Sequence, residues 1–375
     1  MISRDPEEEH RAATPLELLY DLCFVVAIAQ AASGLHHGIS HGHPISIMGY
    51  AIVFFAIWWA WMGFAWFASA FDTDDVAYRL KVLLQIVGVL VLAAGVPRAA
   101  AQQDFGFITL GYVIMRIGLI AQWLRAARAD PAYRRTALRF VTGIVVCQVG
   151  WVALLLAPDD RWVYGFLMLA PLELLVPVWA EQAGRTQWHP RHIAERYGLF
   201  TIIVIGESVL AATLAVQAAL DAGSNMIEVA WIIAGAPLII FSMWWLYFLR
   251  PANLDRGSLR QAFVWSYSHY FIFGSAAAVG SGIAVAVDHA VDKSHISSFW
   301  AGQALAIPVA VYLVSTWYAH LRPCDYSRRT SYSFLVAAGL TLLAPLAPAD
   351  PLVIGLILAG LTGFLVTTSP CHQRN

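Results

Sequence analysis

Five ionisable side chains lie inside long apolar stretches of this 375-residue sequence. Charge at such positions is costly unless it faces a helix-bundle interior or a water-filled cavity. Glu17 and Asp21 are one helical turn apart, so both carboxyls share one helix face. Glu173, Glu207 and Arg116 each lie deep within a separate apolar run. We therefore expect carboxylates that bind a cation or relay a proton along a central pathway, with Arg116 as a counter-charge.

Several of these residues also have a purely structural interpretation. Glu17 would complement the dipole of a helix that begins nearby, and an Arg116–Glu pair would simply fix helix packing. Pro171 and Pro177 flank Glu173. A helix broken there would expose carbonyl oxygens that could coordinate a cation.

Four histidines, His36, His37, His41 and His43, crowd the polar stretch after the first apolar run. Imidazoles suit zinc, copper or nickel, but the sequence places no carboxylate or cysteine among them. They are weak metal candidates. The sequence contains no phosphate-binding loop, dinucleotide fingerprint, zinc-protease motif or nucleophile elbow. We therefore expect no cofactor and no energy-coupled pump, and the leading hypothesis is not an enzyme.

The composition explains where these residues must sit. Hydrophobic residues make up 59% of the chain and charged residues only 13%, against about 25% charged residues in soluble proteins. The 15 Trp, 14 Tyr and 19 Phe suit aromatic belts at two membrane interfaces. A net charge of −1 argues against a general nucleic-acid binder. The sequence therefore predicts an integral membrane protein whose partners are membrane lipids and a small cation, proton or solute. It leaves homo-oligomer formation open.

A membrane-spanning helix needs about 20 mostly apolar residues. On that criterion the chain is an all-α polytopic membrane protein with about twelve transmembrane helices. The predicted spans are 16–34, 44–70, 77–97, 104–127, 136–156, 161–183, 192–217, 226–250, 261–287, 297–320, 331–347 and 351–369. The last two are short and could instead form one re-entrant pair.

The distribution of basic residues predicts the orientation. Nineteen of the 23 Lys and Arg lie on the side of the two termini, whereas Arg98, Arg161 and Lys293 lie on the other. Cytoplasmic loops collect Lys and Arg, so we expect a bacterial inner-membrane protein with both termini cytoplasmic. The predicted parts outside the spans are an N-terminal tail over 1–15, a central connection over 184–191 and a C-terminal tail over 370–375.

The two halves of the chain share an order of residues that predicts an internal repeat. Each half opens with Glu and Phe in its first span, continues with a Trp pair in its second, and then has Asp followed by Arg. The matches are Glu17 and Phe24 with Glu195 and Phe200, Trp58-Trp59 with Trp244-Trp245, and Asp72 to Arg79 with Asp255 to Arg260. The predicted repeats are 16–183 and 192–369. Because each half has six spans, both run in the same direction, as in parallel-repeat transporters.

Two long motifs carry a family resemblance. The first is TPLELLYDLCFV over 14–25, followed by AIAQ over 27–30, and the second is HIAERYGLFTIIVIGESVL over 192–210. Together with Trp58-Trp59 and the acidic run that follows, they resemble the signatures of the bacterial low temperature requirement protein A family. The resemblance implies a polytopic bacterial membrane protein and supplies no biochemical activity.

The first span also resembles, in part, the pore-lining first helix of the six-span lysosomal-type potassium channel family. That helix opens with an Arg-x-x-x-Phe-Ser-Asp pattern. Asp21 matches its Asp, whereas Tyr20, Leu19 and Pro15 replace Ser, Phe and Arg. The resemblance implies that the first span lines a pathway.

The combined hypothesis is a secondary transporter or channel-like protein. Intramembrane carboxylates would move a cation or a proton-coupled solute. Two alternatives from other classes remain: a membrane-embedded enzyme acting on a lipid or amphiphile, and a non-catalytic membrane protein for stress adaptation.

Overall fold

The computed structural model describes residues 2–3, 12–221, 226–249, 254, 258–321 and 328–368. Several residues used above lie outside these ranges. They are Asp255 of the predicted repeat, the tail over 370–375, and six of the basic residues counted on the side of the two termini: Arg4, Arg11, Arg250, Arg256, Arg322 and Arg374. The described helices are α1 (Pro15–Ser40), α2 (Ile45–Ala70), α3 (Val76–Gln102), α4 (Gly106–Ala129), α5 (Arg134–Leu154), α6 (Asp159–Glu181), α7 (Pro190–Asp221), α8 (Met226–Phe248), α9 (Leu259–Ala290), α10 (Ser298–Thr316), α11 (Arg328–Leu343) and α12 (Asp350–Thr368).

The all-α fold class is confirmed. The strand content of the described residues is one antiparallel pair of two-residue segments, β1 (Ile2–Ser3) and β2 (Phe71–Asp72). Eleven described helices are long and apolar enough to cross a membrane, and α11, with 16 residues, is too short. The structure therefore supports eleven of the twelve predicted spans by length and composition.

The predicted break in the sixth span does not occur. Helix α6 continues through both Pro171 and Pro177 to Glu181. Each proline removes one backbone donor from the helix, but the turns on either side hold it together. The helix is therefore unbroken beside Glu173.

The chain divides into two compact units. Unit 1 comprises residues up to Gln30 together with Phe55–Tyr197, and unit 2 comprises Ala31–Phe54 together with Gly198 onward. The divisions fall inside α1, α2 and α7, not at the predicted repeat boundaries. The parallel repeat stays a prediction.

Glycines permit close helix packing within each unit. In unit 1, a Cβ on Gly111 of α4 would overlap the backbone of α3 at Gly88 and Leu92. In unit 2, a Cβ on Gly282 of α9 would lie 2.5 Å from the carbonyl oxygen of Ala304 in α10. Small residues let transmembrane backbones approach each other where apolar side chains give no hydrophobic advantage over lipid.

Many large apolar side chains of the helices are exposed. Large exposed residues include Val146, Leu167, Phe241 and Val336 from four different helices. Soluble monomers rarely expose contiguous apolar surface on this scale. The surface therefore suits lipid contact.

Candidate functional site

Asp21 and Arg196 form a fully buried ion pair in unit 1. Nη2 of Arg196 lies 2.5 Å from Oδ1 of Asp21, and Nε lies 3.1 Å from Oδ2. The indole Nε1 of Trp61 donates a third hydrogen bond to Oδ1 over 2.7 Å. The Asp21 and Arg196 side chains are both 0% exposed. This two-point geometry is the strongest pairing available to a carboxylate and a guanidinium.

Glu17 has two roles beside this pair. Its Oε2 accepts a hydrogen bond from the backbone N–H of Thr14 over 2.7 Å, and Oγ1 of Thr14 accepts one from the Glu17 N–H. The two residues therefore form a capping box at the start of α1. The same carboxyl lies 3.6 Å from Nη1 of Arg196 and 3.5 Å from Nε2 of His192. The helix-capping interpretation of Glu17 fits, and the residue also belongs to the charged cluster.

Arg196 was not among the predicted site residues, because it was counted with the cytoplasmic basic residues. A local signal could have placed it inside the helix. Pro190 opens α7, and proline favours the first helical position. Arg196 therefore lies six residues into a helix, where it can meet the carboxylates of α1.

Arg116 and Glu173 form a second buried cluster in unit 1. Nη2 of Arg116 lies 2.9 Å from Oε1 of Glu173 and also donates to the hydroxyl oxygen of Tyr112. Tyr112 donates to Oε1 over 2.7 Å, and Trp151 Nε1 donates to Oε2 over 2.7 Å. The predicted counter-charge thus pairs with Glu173, and these contacts join α4, α5 and α6.

Glu207 belongs to unit 2, whereas the other four predicted residues belong to unit 1. Glu207 lies on the buried face of α7 and is 7% exposed. Oε2 is buried and has no hydrogen-bond partner among the described residues. Burying an ionised, unpaired carboxylate costs several kcal/mol or more. An ionised Glu207 would therefore be destabilised here unless it gained a partner or water.

The histidine-rich end of α1 contains a carboxylate that the sequence did not place there. Nε2 of His36 lies 2.6 Å from Oδ2 of Asp288 in α9, and the Ser40 hydroxyl donates to the same oxygen. The expectation that no carboxylate joins His36, His37, His41 and His43 is therefore wrong, because Asp288 of α9 contacts His36. Among the described residues, however, no group of three or more His, Cys, Asp or Glu is arranged to hold a metal ion.

Asp75, one of the acidic residues after α2, caps the next helix. Oδ1 of Asp75 accepts a hydrogen bond from the Tyr78 N–H at the start of α3, over 2.9 Å. Asp75 also pairs with Arg125 of α4, and Asp74 pairs with Arg79 over 2.6 Å. Hydrogen bonds from Arg125 and from the Tyr78 backbone lower the pKa of Asp75.

Comparison with known proteins agrees with this architecture. The chain is 24% identical over 388 residues to the uncharacterized protein RA0937 of Rhizobium meliloti (strain 1021), covering 97% of this chain and 89% of that protein. No solved structure matches the chain. The sequence profile described as bacterial low temperature requirement A protein (LtrA) matches residues 12–368 and includes both sequence motifs and every candidate carboxylate. The chain therefore belongs to the bacterial low temperature requirement A family.

Proposed function

We propose that this multi-pass membrane protein moves a cation or a proton-coupled solute, and that Glu207 is the carboxyl that binds and releases the ion. The observation that carries the proposal is the buried Oε2 of Glu207, which has no hydrogen-bond partner among the described residues. A carboxyl without a fixed counter-charge can exchange an ion without first breaking a salt bridge.

The other three predicted carboxyls are already engaged. Asp21 and Glu17 contact Arg196, and Glu173 contacts Arg116. Removing a partner from a buried pair of this kind costs about 3–5 kcal/mol. These three carboxyls therefore suit structural roles.

The two arginine clusters favour a transporter rather than an enzyme. Their carboxyls are hydrogen-bonded to arginine, indole and phenol groups, whereas an enzyme with an acid–base pair would need carboxyls that converge on a shared substrate. The proposed partners are membrane lipids and the transported cation, proton or solute. Any homo-oligomer remains a separate proposal.

The test is ion flux in liposomes. Purified protein is reconstituted, a pH or cation gradient is imposed, and the flux is followed with an enclosed dye. The variant Glu207→Gln keeps the side-chain size and removes the titrating oxygen. We expect it to remain folded and to lose the flux together with its pH dependence.

The matched control is Glu228→Gln, which removes one carboxyl from the exposed first turn of α8. We expect native flux from this control. Native flux from Glu207→Gln across the pH range would assign Glu207 to packing and refute the proposal.

A further inference from the structure

The hydroxyl groups of Tyr50 and Ser208 both donate their hydrogens to backbone carbonyl oxygens. Tyr50, which lies within electrostatic range of Glu207, donates to the carbonyl oxygen of Gly274 over 2.6 Å. Ser208, the next residue in the chain, donates to the carbonyl oxygen of Ala276 over 2.7 Å. Both hydroxyls can therefore offer only oxygen lone pairs to another group.

This distribution of donors favours the neutral carboxylic acid. An ionised carboxylate only accepts hydrogen bonds, whereas a protonated one brings its own O–H donor. The buried residues of α7 before and after Glu207 include the apolar Phe200, Val204 and Ala212. These apolar side chains carry no hydrogen-bond donor.

A metal cation has too few ligands here. Calcium takes about 6–8 oxygens and magnesium a near-ideal octahedral set of six, but the Glu207 carboxyl together with the hydroxyl oxygens of Tyr50 and Ser208 would supply at most four. Among the described residues, no charged side chain forms a hydrogen bond with Oε2 of Glu207. The described part of the chain also contains no set of three or more His, Cys, Asp or Glu that could hold a metal ion.

We infer that the ion carried by Glu207 is a proton and not a metal cation, an inference that rests on the function proposed above. Release and uptake at Glu207 then occur as exchange between the carboxylic acid and the carboxylate, with the proton passing to or from water. Metal cations would not compete for the site.

The experiment measures carboxyl modification, not transport. Dicyclohexylcarbodiimide is a lipid-soluble reagent that modifies protonated carboxyls, and peptide mass spectrometry identifies the residue it reaches. Purified full-length protein is treated across a pH series with sodium, potassium or magnesium chloride, and with choline chloride as the ionic-strength control. Glu173 is the internal control, because Arg116, Tyr112 and Trp151 all donate hydrogen bonds to its carboxyl oxygens.

We expect labelling of Glu207 to fall as the pH rises and to be the same in all four salts, with Glu173 unlabelled throughout. Protection by any metal salt at fixed pH would overturn the inference, and so would an absence of labelling at acid pH. The two proposals fail separately. Proton-dependent labelling without liposome flux would refute transport alone, whereas metal protection with flux that requires Glu207 would refute the proton alone.

Discussion

Replacing Asp21 with asparagine removes the charge that balances Arg196. The asparagine oxygen can still accept from Trp61 or from Nη2 of Arg196, but the amide nitrogen replaces Oδ2, the acceptor that lies 3.1 Å from Nε. Two donors then face each other in a site that is 0% exposed. Breaking a buried pair by changing one partner costs about 3–5 kcal/mol.

The structure places the expected loss at the lower end of that range. Glu17 remains 3.6 Å from Nη1 of Arg196 and compensates part of the lost charge. We therefore expect Asp21→Asn to reduce the free energy of unfolding by about 3 kcal/mol. The assay is equilibrium unfolding in mixed micelles with increasing sodium dodecyl sulfate, followed by tryptophan fluorescence.

Two further variants make the result decisive. Asp74→Asn removes the carboxylate of an exposed pair with Arg79, where water screens the charges, so we expect little change. The double variant Asp21→Asn with Arg196→Gln is expected to lose less than the sum of the single variants, by about 1 kcal/mol or more. If Asp21→Asn were no more destabilising than Asp74→Asn, or if the two losses were additive, the buried-pair argument would be refuted.

Three other predictions test the packing, the helix caps and the topology. Gly111→Ala is expected to cost roughly 1–3 kcal/mol, because its Cβ overlaps the α3 backbone; Gly360→Ala, with no atom within 4 Å of its Cβ, is expected to be neutral or slightly stabilising in the same unfolding assay. Because the pKa of Asp75 is lowered in the folded state, its contribution is fully present above the ordinary Asp pKa of about 4 and is lost as the pH falls from there through the lowered folded-state pKa. Thermal unfolding of the native protein and of Asp75→Asn is therefore expected to differ at neutral pH and to converge in acid. Reporter fusions after residues 130 and 188 are expected to report cytoplasm and a fusion near residue 40 the outside, and reversal at any one of these sites would contradict the predicted orientation.

The sequence predicts the helices well because the membrane imposes their length and composition. It predicts their buried faces poorly, as the two Trp pairs illustrate. Trp58 and Trp59 are 2% and 3% exposed, whereas Trp244 and Trp245 are 45% and 48% exposed. Lipid and protein interior are both apolar, so a membrane helix lacks the polar face that identifies the outside of a soluble helix. The shared motif therefore carries no information about burial.

Polar residues were easier to find than to pair. Apolar context alone singled out Asp21, Glu173 and Arg116, since each is costly in a membrane. The assignment of partners depends on which helices are neighbours, and spacing along the chain does not report this. Arg196 is 175 residues from Asp21, and Asp288 is 252 residues from His36. Both contacts come from helices whose ends meet in space and not in sequence.

Salt bridges distinguish the carboxylates that connect helices from Glu207, the carboxyl that is proposed to exchange an ion. Arg116 and Arg196 each neutralise a carboxylate and satisfy it with directed hydrogen bonds. Opening either contact exposes two buried charges, which is why such pairs respond to mutation far more than to small changes of pH. Glu207 has no such pair among the described residues. Under the proposed function, a proton can leave or enter Glu207 without breaking a salt bridge between helices, which is not true of the carboxyls paired with Arg116 and Arg196.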